Sequence, residues 1–256
     1  MSVYSQTLLP AEVTVIDDGS TDDTQAMLRR EFPQVVYCYQ QNLGVSAARN
    51  LGIQQTTGDW LAFLDSDDEW LPEKLAQQKA ALTAQPEYNI CHTEENWIRN
   101  GIQVDVPKKY AKTGGWIFTD CLPLCAMSPS TMLIHRSVFI DIGLFDDQLP
   151  ACEDYDLWLR MAANYPVLLL EQPQINKHGG HEDQLSHAFW GMDRFRISAL
   201  QKIIDAGQLS EQNRLAAVNM LVKKANIYLN GVTKRGKTDE ANYYRQLIKR
   251  YAIDAV

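Results

Sequence analysis

Residues 63–70 read FLDSDDEW, and an apolar run ends there in Asp65, Asp67, Asp68 and Glu69. Carboxylates this close repel one another and are costly to desolvate. A hard divalent cation answers both problems. Mg²⁺ takes one or two protein carboxylates and completes its shell with phosphate oxygens and water. The competing account is a solvated acidic turn that caps a helix opening at Pro72. The cluster alone does not separate the two.

Four other stretches carry chemistry-bearing residues. In IDDGSTDDT (16–24), Asp17 and Asp18 follow a β-rich run, and Gly19 permits a tight turn. The spacing lacks the Gly and terminal Glu of a calcium loop. A carboxylate there can accept hydrogen bonds from a ribose or a base imide, and two acids in a row favour that over plain helix capping. In NLGVSAARNLG (42–52), Arg49 is the one cation near both acidic clusters in sequence. It can steady the aspartates or a diphosphate, and a structural salt bridge accounts for it equally well. In ACEDYDLWLRM (151–161), Glu153, Asp154 and Asp156 start a helix, where negative charge meets the helix dipole favourably. One of them held near a reacting centre would be a general base. In KHGGHEDQLS (177–186), His178 and His181 flank a Gly-Gly pair, and a neutral imidazole there can ligate a metal or meet a phosphate.

The elements that position these groups are legible as alternating periods. Residues 12–16, 35–39 and 60–64 are β-rich, and 20–30 and 45–55 are helical. Ser20 and Asp23 have capping-box spacing at the first helix. Strand–helix–strand–helix–strand with short links implies parallel strands with crossover helices. Ligands of such sheets bind beyond the carboxyl ends of the strands, which places both acidic clusters at one edge. Further on, 90–92 and 131–135 read as strands, a helix begins near Glu153, and the pattern from about Phe189 is helical. The expected fold class is α/β, with a helical C-terminal appendage; the expected division is 1–188 and 189–256.

The chain has 256 residues, 45% of them hydrophobic, enough for one large core. No run approaches a membrane-spanning length, and the N-terminus has no signal-peptide pattern. The five cysteines are odd in number and scattered, which favours reduced thiols and a cytoplasmic setting over disulfides or zinc. The net charge of −8 is uneven: residues 190–256 carry twelve basic side chains against six acidic, while the rest of the chain is strongly acidic. The acidic body argues against nucleic acid as a partner. The basic tail reads as a solvated helical face, or as a peripheral contact with the inner face of a membrane.

Read together, the stretches VIDDGSTDDT, NLGVSAARNLGI, TGDWLAFLDSDDEWLPEKL, SPSTMLIHRSVFIDIGLFDDQL and EDYDLWLRMA resemble the family 2 glycosyltransferases, inverting enzymes of GT-A fold, in the family's order over roughly residues 3–187. The resemblance implies a Rossmann-like, mostly parallel sheet flanked by helices. It implies transfer of a sugar from a nucleoside-diphosphate sugar, most simply a UDP-sugar, to a hydroxyl of a glycan or glycolipid acceptor, as in polysaccharide assembly. It also implies Mn²⁺ or Mg²⁺. Carried over by position, Asp17 and Asp18 contact the nucleoside and Arg49 lies near the diphosphate. Asp65 and Asp67 form the DxD that binds metal and diphosphate, with Asp68 adjacent as a direct-ligand candidate. Asp154 is the catalytic base. His181 matches a late metal- and diphosphate-side histidine, with His178 as the alternative equivalent.

The sequence departs from the family at its start. Ser2–Thr7 already match the end of the family's first helix, so the opening strand and its nucleotide-contacting loop are expected to be absent. That makes a catalytically impaired binding module the alternative reading. A sugar nucleotidyltransferase is a weaker third, since no Gly-rich N-terminal phosphate loop is found.

Overall fold

The computed structural model describes residues 2–180 and 189–253. The strands are β1 (Thr14–Asp18), β2 (Val36–Gln40), β3 (Trp60–Ala62), β4 (Glu69–Trp70), β5 (Ile90–Arg99), β6 (Ile102–Val104), β7 (Leu133–His135) and β8 (Leu168–Gly179). The helices are α1 (Thr24–Glu31), α2 (Val45–Gln55), α3 (Lys74–Ala84), α4 (Phe118–Cys121), α5 (Arg136–Ile142), α6 (Glu153–Asn164), α7 (Asp193–Asp205), α8 (Glu211–Lys234) and α9 (Thr238–Ile253).

The α/β class expected from the periodicities holds, and the strand pairing is mixed. β1 and β2 pair in parallel as a two-stranded sheet. The second sheet runs β3-β7-β5-β8-β4, with β6 on β5. Within it β5 and β8 are parallel, and β7 returns antiparallel to both β3 and β5. The expected continuous run of parallel strands is thus divided: among the described residues no strand joins β1 to β3. Helix α2 ties the two sheets instead. Gly52 lies against Ile16 of β1, where an added Cβ would meet the Ile16 side chain at 3.5 Å, and Ile53 belongs to the main core.

Local signals were followed unevenly. α2 and α6 begin where the sequence places them. α1 begins later than expected, and its N-cap Asp23 makes no side-chain cap bond. Asp22 does that work, accepting from the Thr24 N–H at 3.0 Å, while the Ser20 N–H turns back to Asp17. Near the N-terminus a 3₁₀ turn, Ser2–Ser5, leads into Gln6, which donates to the Leu71 carbonyl (2.8 Å) and accepts from the Leu75 N–H (3.1 Å). One amide thereby satisfies the Leu75 N–H, which no helical bond reaches, and adds a second donor to the Leu71 carbonyl, which also accepts from the Lys74 N–H.

One hydrophobic cluster runs through the molecule. Ile90, Ile134, Leu157 and Trp158 share it with Leu200 of α7, Val218 and Leu221 of α8, and Tyr244 and Tyr251 of α9. The C-terminal helices therefore cover α6 and α4 directly. No described helix is long and apolar enough to cross a membrane.

Candidate active site

Asp17 is the last residue but one of β1 and is buried. Its carboxylate accepts from the Tyr37 hydroxyl at 2.5 Å and from the Ser20 N–H at 2.7 Å. Burial opposes the charge, but these donors outweigh it and hold the carboxyl below its ordinary value. The same contact pushes the Tyr37 hydroxyl up to about 12. Asp18 accepts from Gln40 (2.7 Å) and from the backbone N–H groups of Leu43 (2.8 Å) and Gly44 (2.9 Å). Gly19 makes this turn possible: its φ is +87°, and a Cβ there would lie 2.8 Å from the Asn42 nitrogen. The two expected nucleoside acids thus shape the loop that launches α2.

Four residues on from Val45 in α2, about 6 Å of rise, stands Arg49. Its guanidinium donates to Asp65 Oδ1 and to Glu153 Oε1, both at 2.7 Å, and lies over the Phe145 ring at 5.3 Å. Asn50 adds a two-way bond with the backbone of Phe145, at 2.9 and 3.0 Å. One turn of helix therefore joins the acidic turn after β3 to the start of α6. The expected diphosphate contact at Arg49 is, in this structure, a buried bridge between carboxylates.

The aspartates of the turn face different ways. Asp67 is exposed, and Asp65 is part-buried with its side chain 35% exposed. Asp68 is buried, and both its oxygens are engaged: Oδ2 by the Ser130 hydroxyl (2.6 Å) and Oδ1 by the His178 N–H (3.1 Å). Burial lifts its carboxyl to about 6, and the charges of Asp65 and Asp67 add to the lift. Negative charge here is under-compensated. His178 lies beside it, its Nε2 3.5 Å from Glu69 Oε2 and without a hydrogen bond although buried. The carboxylates of this turn are the oxygen donors that suit a hard divalent cation. No described group of three or more acid, His or Cys side chains could hold a metal ion, and a cation that shares its shell with a diphosphate takes only one or two protein carboxylates. His181 lies outside the described residues.

Asp154 sits in the first turn of α6, after Cys152 in a left-handed conformation at the N-cap. Its Oδ1 accepts from the Tyr155 N–H (2.7 Å), and its Oδ2 is met by Cys125 Sγ (2.9 Å). Burial and the adjacent Asp154 charge push the Glu153 carboxyl up, against the pull of Arg49.

Three residues that sequence reasoning missed complete the site. Ser130 Oγ also accepts from the Asp65 N–H at 3.1 Å, so one hydroxyl sets the spacing of the turn. Lys177 donates to Ser128 Oγ at 2.8 Å and stands 4.0 Å from Glu95. Burial depresses its charge, but Glu95, Asp68 and Asp154 prevail and its pKa is raised. Cys125 is the third. Ser130 lies in a stretch already singled out, and Lys177 adjoins a candidate histidine. Nothing local marks Cys125, whose partner is 29 positions away.

A family model for glycosyl transferase family 2 matches residues 1–143, more than half of the chain. The chain belongs to glycosyltransferase family 2. An uncharacterized glycosyltransferase of Rickettsia bellii is 30% identical over 170 residues, 63% of this chain and 24% of the relative. The Escherichia coli UDP-Glc:alpha-D-GlcNAc-diphosphoundecaprenol beta-1,3-glucosyltransferase WfaP is 28% identical over 166 residues, 62% of each chain. The chain thus spans about a quarter of the first relative's length and under two thirds of the second's. In fold, it matches Staphylococcus aureus TarS in complex with UDP-GlcNAc with a TM-score of 0.58 at 17% identity, covering 99% of this chain and 86% of that one. The family assignment and this likeness agree on a GT-A fold.

Proposed function

We propose that this chain transfers a sugar from a UDP-sugar to a hydroxyl of a glycan or glycolipid acceptor, with inversion at the anomeric carbon and with Mn²⁺ or Mg²⁺. The observation that carries the reading is the Arg49 bridge, which holds Asp65 and the Glu153–Asp154 start of α6 in one constellation. Donor-side acids and a base must stand on either side of a reacting centre, and this bridge connects them.

Asp65 and Asp67 would hold the cation, which would supply charge neutralisation for the departing diphosphate. Asp68 is tied down by Ser130 and His178 and keeps the turn in shape. Asp17 and Asp18 build the loop against which the nucleoside is read. Asp154 takes the proton from the acceptor oxygen as that oxygen attacks the anomeric carbon from the face opposite the diphosphate. The electron pair of the broken glycosidic bond leaves on the diphosphate. Asp154 is already oriented by two hydrogen bonds, so positioning contributes alongside basicity. The names of WfaP and of the TarS complex support a uridine donor.

The chain is proposed to work in the cytoplasm, with the basic C-terminal helices resting on an anionic membrane surface. The five unbridged cysteines support the first statement. For the second, Trp190 is 43% exposed and flanked by Arg235 (4.6 Å) and Lys237 (4.5 Å).

Calorimetry with UDP, UDP-glucose and UDP-GlcNAc, with and without Mn²⁺, tests the donor reading. Metal-dependent binding is expected, and Asp154→Asn should keep that binding while turnover falls by about 10²–10⁴-fold. Unchanged turnover in Asp154→Asn would remove Asp154 from its role. Absence of metal-dependent binding across the panel would favour the second reading, a binding module without turnover. The division between β1 and β3 is the observation on that side.

A further inference from the structure

Both oxygens of Asp154 are held, by donors of different origin. Oδ1 accepts from the N–H of the next residue, Tyr155, at 2.7 Å, a contact internal to the first turn of α6. Oδ2 is met by Cys125 Sγ at 2.9 Å, across 29 positions of sequence. Without that second contact a carboxylate on a helix terminus can rotate about its χ2, where the preference is broad.

The segment that supplies Cys125 also reaches α6, Lys177 and the acidic turn. The Met127 carbonyl accepts from the buried Trp158 indole at 3.0 Å, which pins the segment to α6 one turn beyond Asp154. Ser128 Oγ accepts from Lys177 at 2.8 Å. Ser130 Oγ donates to Asp68 at 2.6 Å and accepts from the Asp65 N–H at 3.1 Å. Residues 125–130 therefore touch the acid expected to act as base, Lys177 and two of the donor-side acids.

The thiol has one proton and two acceptors in reach, Asp154 Oδ2 and the Met127 carbonyl at 3.3 Å. An ionised carboxylate is the stronger acceptor. Burial, with the charge of Asp154 behind it, pushes the Cys125 thiol well above its ordinary value, so it stays a donor rather than a competing anion.

We infer that Cys125 is the positioning residue for Asp154: it fixes the carboxylate toward the acceptor oxygen and does not itself touch substrate. This rests on the reading of Asp154 as the base. Lys177 supports the same carboxylate through charge, but it is tethered to Ser128 and Glu95, which leaves the directional contact to Cys125.

The test uses the full chain and UDP release from UDP-glucose and UDP-GlcNAc with water as acceptor, beside calorimetric binding of UDP. Cys125→Ala should lower kcat by about 10–100-fold, the scale of a misplaced reacting group, with KM and UDP affinity unchanged. Cys125→Ser keeps a donor at that position and should restore most of the rate. Cys125→Val fills the volume without a donor and should match the alanine variant; it carries the comparison if alanine melts early. Parent-like kcat in Cys125→Ala and Cys125→Val would overturn the inference, as would a serine variant as slow as alanine or a parallel rise in KM. Asp154→Asn separates the two readings. If it is inactive while Cys125→Ala is not, the positioning role alone falls. If Asp154→Asn is fully active, or the parent releases no UDP, the base reading or the activity falls and takes this inference with it.

Discussion

Arg49 shows how one side chain can serve two loops far apart in sequence. Its two terminal nitrogens point in different directions, one to Asp65 and one to Glu153. A lysine ammonium offers a single charge centre on a flexible stem and cannot copy that fork. Arg49→Met would leave Glu153 buried beside Asp154 with no cation, and removing one partner of a buried ion pair costs about 3–5 kcal/mol. Urea unfolding should show a loss near the lower end, because Asp65 keeps access to water. Arg49→Lys should recover little of the stability and little of the donor binding. If Arg49→Lys unfolds at the parent's midpoint, the bridge contributes only charge.

Among the elements, α8 and α9 carry exposed apolar side chains as well as core. Their buried sides hold Val218, Leu221, Tyr228, Tyr244 and Tyr251, while Ile227 and Tyr243 are more than half exposed. A hollow of about 270 Å³ opens beside Trp190, Met192, Ile227 and Tyr228. Arg235 and Lys237 both lie over the Trp190 ring, at 4.6 and 4.5 Å from its centre. Aromatic rings of this kind favour the membrane–water interface, and each basic residue near an anionic surface adds about 1 kcal/mol. Co-sedimentation with phosphatidylglycerol-containing vesicles should therefore exceed that with pure phosphatidylcholine. It should weaken with salt, and it should fall in the double variant Arg235→Glu, Lys237→Glu. Equal binding to both vesicle types would remove the charge component of the contact.

At the scale of the whole molecule, the core contains an ionisable group that the site does not use. Lys74 is fully buried under the Trp70 ring (4.3 Å) and donates to Gln78 at 2.8 Å. Burial lowers its pKa from 10.5 to about 7. Between those values the folded chain holds Lys74 neutral while the unfolded chain protonates it. The unfolded state then binds more protons, so this group's contribution to stability rises with pH across that window and is at its least below pH 7. Denaturation from pH 7 to 10 should show the parent gaining stability relative to Lys74→Met. Parallel pH curves for the two proteins would show that Lys74 titrates normally.

Much of the site was legible along the chain because its acids cluster at element ends. DxD spacing, the acidic start of α6 and the small-residue opening of α2 are local patterns, and local patterns survive in a one-dimensional record. They determined the family resemblance, the α/β class and the candidates Asp17, Asp18, Asp65, Asp67 and Asp154. Which oxygen is free and which is already held is a matter of approach in space. Only the tertiary structure turned Asp68 inward onto Ser130, made Arg49 a bridge, brought Lys177 near Asp68 and Asp154, and set Cys125 against Asp154. The hydrogen bonds among those contacts span 16 to 104 positions. The division of the sheet between β1 and β3 has the same origin. Strand periodicity reports that a segment is extended and buried, while its neighbour is chosen by the packing of α2 and by β7 returning antiparallel beside β3.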